Sequence, residues 1–89
     1  MNKSAKKQNS FFVYIVKCAD DTLYTGYTTD LERRLQLHNS GQGAKYTRGR
    51  GPVQLVYVKR FKKLRAALQG EYQIKKLKRS QKNRLIREK

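Results

Sequence analysis

The 89-residue chain carries 22 Lys and Arg against 6 Asp and Glu, a formal net charge of +16, and with 37% hydrophobic residues its mean hydropathy is −0.92. A chain this short buries only about 60% of the surface its unfolded form exposes, which allows one core and excludes a second. Cys18 is its single cysteine and His38 its single histidine, so an internal disulfide and a four-ligand zinc set are excluded as well.

Residues 1–10 hold Lys3, Lys6 and Lys7 among Asn, Gln and Ser with no apolar period, and are expected to form a disordered basic arm before one domain over 11–89. Phe11-Phe12-Val13-Tyr14-Ile15-Val16 is apolar on both alternating faces, which predicts a strand covered on both sides, the middle one of its sheet. Asp20-Asp21 reads as a turn and Thr22-Leu23-Tyr24-Thr25 resumes β character before Gly26, giving a hairpin with Tyr14 and Tyr24 on paired strands. Thr29-Asp30-Leu31-Glu32 matches the Thr-x-x-Glu capping box, so a helix of about three turns should start there. In it Leu31 and Leu35 stack at i,i+4, and Asn39-Ser40-Gly41 ends it.

Ser40 to Pro52 holds four of the six glycines with Lys45, Tyr46, Thr47, Arg48 and Arg50, and is expected to be a flexible basic loop. Val53 to Val58 is β-branched and aromatic, a third strand. A longer helix is expected from Lys63 to Lys78 with Leu64, Ala67, Leu68, Ile74 and Leu77 on its apolar side, then a short helix from Ser80 anchored by Leu85 and Ile86. The order β-β-α-β-α-α predicts an α+β fold, a small three-stranded antiparallel sheet flanked by helices.

Residues 59–89 hold 13 of the 22 basic residues and 2 of the 6 acids, so the C-terminal helices are the electrostatic handle. Such a charge implies a polyanion as partner, because Lys and Arg release counterions from a phosphate backbone; nucleic acid is the usual one in the cytosol and an anionic membrane the weaker alternative. No stretch approaches the ~20 apolar residues of a membrane span, Met1 to Ser10 lacks the apolar centre of a signal peptide, and a cytoplasmic location is expected.

Glu71 stands out. On a helical wheel it falls in the stripe of Leu64 and Leu68, so its carboxylate points at the protein and needs a cation: a neighbouring Lys or Arg, or a hard metal ion such as Mg²⁺. Arg34 and His38 are one turn apart; they are either solvated surface residues or a pair that binds phosphate and handles a proton. Tyr14 and Tyr24 are either a packing pair across the hairpin or hold a general base, the phenolate being favoured by nearby cations. Lys45, Tyr46, Arg48 and Arg50, with Lys75 on the second helix, are candidate contacts to a nucleic-acid strand. No Gly-rich nucleotide loop, zinc spacing or Ser/His/Asp order is present.

These residues in this order resemble the GIY-YIG nuclease superfamily, in particular its short stand-alone bacterial branch. Phe12-Val13-Tyr14 stands at the GIY tripeptide and Tyr24-Thr25-Gly26 at YIG; Arg34, His38 and the helix-borne Glu71 follow, with His38-Asn39-Ser40-Gly41 leading into Gly43-Ala44-Lys45-Tyr46-Thr47-Arg48. The resemblance implies single-metal phosphodiesterase chemistry. Glu71 would hold Mg²⁺ or Mn²⁺, Tyr14 would take a proton from the attacking water, Arg34 would stabilise charge on the scissile phosphate, and Tyr24 and His38 would assist. Phe12 replaces the first glycine of the motif, which alters packing at the sheet. Relatives of this kind commonly rely on an attached targeting domain, so specificity is expected to be low or borrowed from a partner protein. The function expected is a metal-dependent endonuclease acting on DNA rather than RNA, structure-preferring and linked to repair or processing. The alternative is a DNA- or RNA-binding module that keeps the fold without cleavage, and a basic adaptor on an acidic protein ranks third.

Overall fold

The computed structural model describes residues 10–88, so residues 1–9 of the expected arm lie outside it. Ser10 is described, and its hydroxyl accepts a hydrogen bond from Arg60 Nε at 2.9 Å. Strands β1 (Phe11–Lys17), β2 (Leu23–Thr28) and β3 (Gln54–Phe61) form one sheet, and helices α1 (Leu31–Asn39), α2 (Leu64–Lys75) and α3 (Arg79–Glu88) flank it. The sheet order is β2-β1-β3 with both pairings antiparallel. The order β-β-α-β-α-α and the antiparallel three-stranded sheet are as the sequence predicts.

β1 takes the centre because from Phe11 to Val16 neither of its faces has a charged residue to expose, and only Lys17 at its end is exposed: Val13 through Val16 have no solvent-accessible surface. Its side chains alternate between two clusters. Val13 and Ile15 pack with Tyr57, Ala67 and Ile74, and Leu85 and Ile86 of α3 close the rim. Tyr14 and Val16 pack with Cys18 and Val53, and Leu31 and Leu35 of α1 cover them. One sheet of three strands is therefore covered on both faces by helices, which suits a middle strand apolar from Phe11 to Val16.

Four expectations are corrected. The α1 cap is Asp30, not Thr29: the Thr28 hydroxyl accepts the Asp30 N–H at 3.0 Å, which moves the helix start one residue on, and Asp30 Oδ1 then accepts from Arg33 N at 3.2 Å. β3 continues past Val58 to Phe61, because pairing with β1 runs on through Val13↔Lys59, Phe12↔Arg60 and Phe11↔Phe61. Lys59 and Arg60 are tolerated there on an edge strand facing solvent. α2 stops at Lys75 rather than Lys78, and α3 begins at Arg79.

The fourth correction concerns the apolar side of α2. Ala67 and Ile74 are buried, but Leu64 and Leu68 are 42% and 44% exposed. The line that meets the sheet is Ala67, Gly70 and Ile74, small residues that bring the helix close: a Cβ on Gly70 would lie 2.7 Å from Phe61 Cζ. That rotation leaves Glu71 at the margin of the buried line and carries Leu64 and Leu68 beyond it.

Candidate active site

Tyr14 projects from the centre of β1 and pairs in register with Gly26 of β2. Its phenol oxygen lies 2.8 Å from His38 Nε2 and accepts from Arg34 Nε at 3.3 Å. α1 supplies both partners from one face, at i and i+4, over the Tyr14 cluster. Tyr24 completes an aromatic group: its ring centroid is 6.4 Å from that of Tyr14 and 5.4 Å from that of His38. The reading of Arg34 and His38 as solvated surface residues is overturned for His38, which is 1% exposed.

The fields inside this group have named causes. Burial raises the pKa of Tyr14; the hydrogen bond and charge of Arg34 oppose it, and Tyr24 and Glu71 add to the rise. Burial lowers the pKa of His38, with Arg34 assisting, which favours the neutral imidazole. The bond to Tyr14 holds Arg34 further above its ordinary range, burial opposing, with Tyr24 contributing in the same direction.

The segment expected to be a flexible basic loop is instead docked on the site. Lys45–Thr47 forms a single 3-10 turn, and Thr47, 1% exposed, places its hydroxyl 2.7 Å from His38 Nδ1. Tyr46 stacks on Tyr24 with centroids 5.8 Å apart, and the Arg50 guanidinium lies 4.6 Å from the Tyr46 centroid. Arg50 also pairs with Asp20 of the hairpin turn at 2.5 Å. Asn39 Oδ1 accepts the Val53 N–H at 2.6 Å and pins the far end of the loop. Four side chains with no apolar period, Asn39, Tyr46, Thr47 and Arg50, thus hold the loop down through polar and stacking contacts. Among the candidate strand contacts, Lys45 and Arg48 are exposed, Tyr46 is 42% exposed, and Arg50 is committed to Asp20 and Tyr46.

Glu71 makes no hydrogen bond to this group: its charge is only the smallest of the causes acting on Tyr14, and its helix packs through Ala67 and Ile74 on the Val13 and Ile15 side of the sheet. Its side chain is 18% exposed, and Oε2 pairs with Lys75 Nζ at 3.0 Å, the Lys75 side chain being 51% exposed. Among the described residues no group of three or more His, Cys, Asp or Glu that could hold a metal ion is assembled. A single largely buried carboxylate suits a hard divalent ion that fills its other positions with water and phosphate oxygen.

Thr47 and Asp20 carry contacts to which the sequence assigned no role. Nothing in Lys45-Tyr46-Thr47-Arg48 separates Thr47 from a surface threonine; only the seating of the loop on α1 does. Asp20 reads as a turn residue and is one, with Oδ1 accepting from Thr22 Oγ1 at 2.6 Å. The Thr22 bonds, then Arg50, lower its carboxyl below the ordinary range.

The pattern of the GIY-YIG catalytic domain matches residues 10–84. A UPF0213 protein of Natronomonas pharaonis is 57% identical over 75 residues, covering 84% of this chain and 88% of that protein, and one of Clostridium perfringens is 60% identical over 75 residues, covering 84% and 81%. The solution NMR structure of a UPF0213 protein from Bacillus halodurans superposes with a TM-score of 0.61 at 49% identity, covering 90% of this chain and 85% of that one. With the matched span running from β1 into α3 and including Tyr14, Tyr24, Arg34, His38 and Glu71, the chain belongs to the GIY-YIG catalytic-domain family, among its short UPF0213 proteins.

Proposed function

We propose that this protein is an endonuclease that hydrolyses phosphodiester bonds in DNA with the help of Mg²⁺ or Mn²⁺, reading strand structure rather than sequence, in cytoplasmic repair or processing of damaged strands. The observation that carries the reading is the phenol oxygen of Tyr14, held between Arg34 Nε and His38 Nε2 in a chain of charge +16. Tyr14 has no exposed surface in the free protein. An incoming phosphate draws the Arg34 guanidinium to its own oxygens and uncovers the phenol. Tyr14 passes its phenol hydrogen to His38 Nε2 and, as the phenolate, takes a proton from the attacking water, whose oxygen bonds to phosphorus as the bond to the leaving oxygen breaks; solvent protonates the leaving oxygen. Arg34 faces the charge that develops on phosphorus, and Tyr24 and His38 hold the phenol in place. Glu71 would hold the divalent ion, which when bound would supply Lewis-acid polarisation of the phosphoryl oxygen. Lys75 leaves Glu71 for the strand backbone, with Lys45 and Arg48 beside it.

One observation favours the second reading, a DNA- or RNA-binding module without cleavage: Lys75 already neutralises the Glu71 carboxylate. The test is Glu71→Gln assayed beside wild type on supercoiled plasmid and branched oligonucleotides, with Mg²⁺ or Mn²⁺ and with EDTA. Wild-type cleavage that EDTA stops, and that Glu71→Gln loses while still binding DNA, is the expected result. Cleavage by Glu71→Gln at the wild-type rate removes the metal role, and binding without cleavage by wild type on every DNA and RNA tried leaves the binding module.

A further inference from the structure

We propose that Thr47 is a positioning residue that fixes the tautomer of His38, with hydrogen on Nδ1, so that Nε2 stands ready to accept the phenol proton of Tyr14. A threonine hydroxyl has one hydrogen to donate and two lone pairs to accept with. Thr47 Oγ1 lies 3.0 Å from the Ala44 carbonyl oxygen, which can only accept, and 2.7 Å from His38 Nδ1. With its hydrogen given to Ala44, the hydroxyl accepts from the imidazole, so Nδ1 carries the hydrogen. A neutral imidazole then has its lone pair on Nε2, 2.8 Å from the Tyr14 oxygen.

The opposite arrangement fails at its other end. If Thr47 donated to Nδ1, Nε2–H would point at a phenol oxygen that already accepts from Arg34, and the buried Tyr14 hydrogen would have no acceptor among its partners. Only one direction satisfies every group: Arg34 donates to Tyr14, Tyr14 to His38, His38 to Thr47 and Thr47 to Ala44. The neutral imidazole this requires agrees with the lowered pKa of His38. Gly43 lets the loop sit this close, because a Cβ there would overlap His38 Nδ1 and come within 2.8 Å of its Cα. When the proton moves, the Tyr14 O–H bond breaks, His38 becomes the imidazolium, and its Nδ1–H stays on Thr47. The phenolate left behind, beside Arg34, takes the proton of the attacking water. That last step rests on the reading of Tyr14 as general base; the tautomer does not.

His38 is the sole histidine of the chain, so ¹⁵N-histidine labelling gives one imidazole pattern in a long-range ¹H–¹⁵N NMR spectrum near neutral pH. Wild type and Thr47→Ser are expected to show the Nδ1–H pattern, and Thr47→Val, which keeps the shape and removes the hydroxyl, to lose it. In the plasmid assay Thr47→Val should lower kcat by about tenfold or more with KM unchanged, and Thr47→Ser should restore it. An Nε2–H pattern in wild type, or an unaltered pattern in Thr47→Val, overturns the proposal. Should Thr47→Val not fold, Thr47→Ala takes its place under the same criteria. A wild type that cleaves nothing removes the nuclease reading alone, and the spectrum still decides the tautomer.

Discussion

Gly26 sits so close across the β1–β2 ladder from Tyr14 that a Cβ on it would lie 2.5 Å from the phenol oxygen and 2.7 Å from Cζ. The glycine is the floor on which the phenol rests between Arg34 and His38. Gly26→Ala must push the ring off these partners or part the strands, at a cost of about 1 to 3 kcal/mol. Denaturant melts should show that loss and a nuclease time course a larger loss of cleavage than of DNA binding. A variant as stable and as active as wild type contradicts the assignment of Tyr14.

Tyr14→Phe keeps the ring and removes the oxygen that serves both Arg34 and His38. Cleavage is expected to fall roughly 10²- to 10⁴-fold, the range for loss of a general base. Stability should drop by about 1 to 3 kcal/mol, because His38 is left buried with its Nε2 unpaired. DNA affinity should not change. Full cleavage by this variant assigns the base elsewhere.

The pH dependence follows from two buried groups with opposite shifts. His38 is lowered from 6.5 and Tyr14 raised from 10.0. The unfolded chain binds the extra proton at His38, so its contribution is complete above 6.5 and is lost as pH falls through the folded value. Tyr14 is the reverse: its contribution is complete below 10.0 and lost as pH rises through the folded value. Melting temperature should therefore be flat between these limits and fall on both sides. The acid limb should weaken in His38→Asn, and an unaltered limb there denies His38 its part.

Binding should be electrostatic. If about six phosphates are neutralised, affinity for duplex DNA falls on the order of 10³-fold between roughly 50 and 200 mM salt. Fluorescence anisotropy across that range measures the slope. A flat titration removes nucleic acid as the partner.

How much of this was legible depended on whether burial came from a periodic neighbour. β1 declares its place because Phe11 to Val16 has nothing polar to expose, and the hairpin because Asp20-Asp21 interrupts two β-prone runs. The inward aim of Glu71 was legible on the helical wheel, yet the same wheel misplaced Leu64 and Leu68. Side-chain size alone favoured the leucines, whereas close approach to Phe61 selected Ala67 and Gly70. His38 shows the limit: a polar residue at the end of a short helix is buried by a glycine-rich loop that has no pattern to read, and Thr47 is invisible until that loop is seated.

The strand order has a consequence for how the molecule is made. On the ribosome β1 and β2 emerge together, but the other edge of β1 stays bare until β3 is synthesised about 30 residues later. At ~5 to 20 residues per second that is an interval of about 2 to 6 seconds in which a largely apolar strand offers unpaired N–H and C=O groups to its surroundings. The nascent hairpin is then a natural client for a holding chaperone, and slowing translation between codons 29 and 53 should increase aggregation without any change in the finished fold.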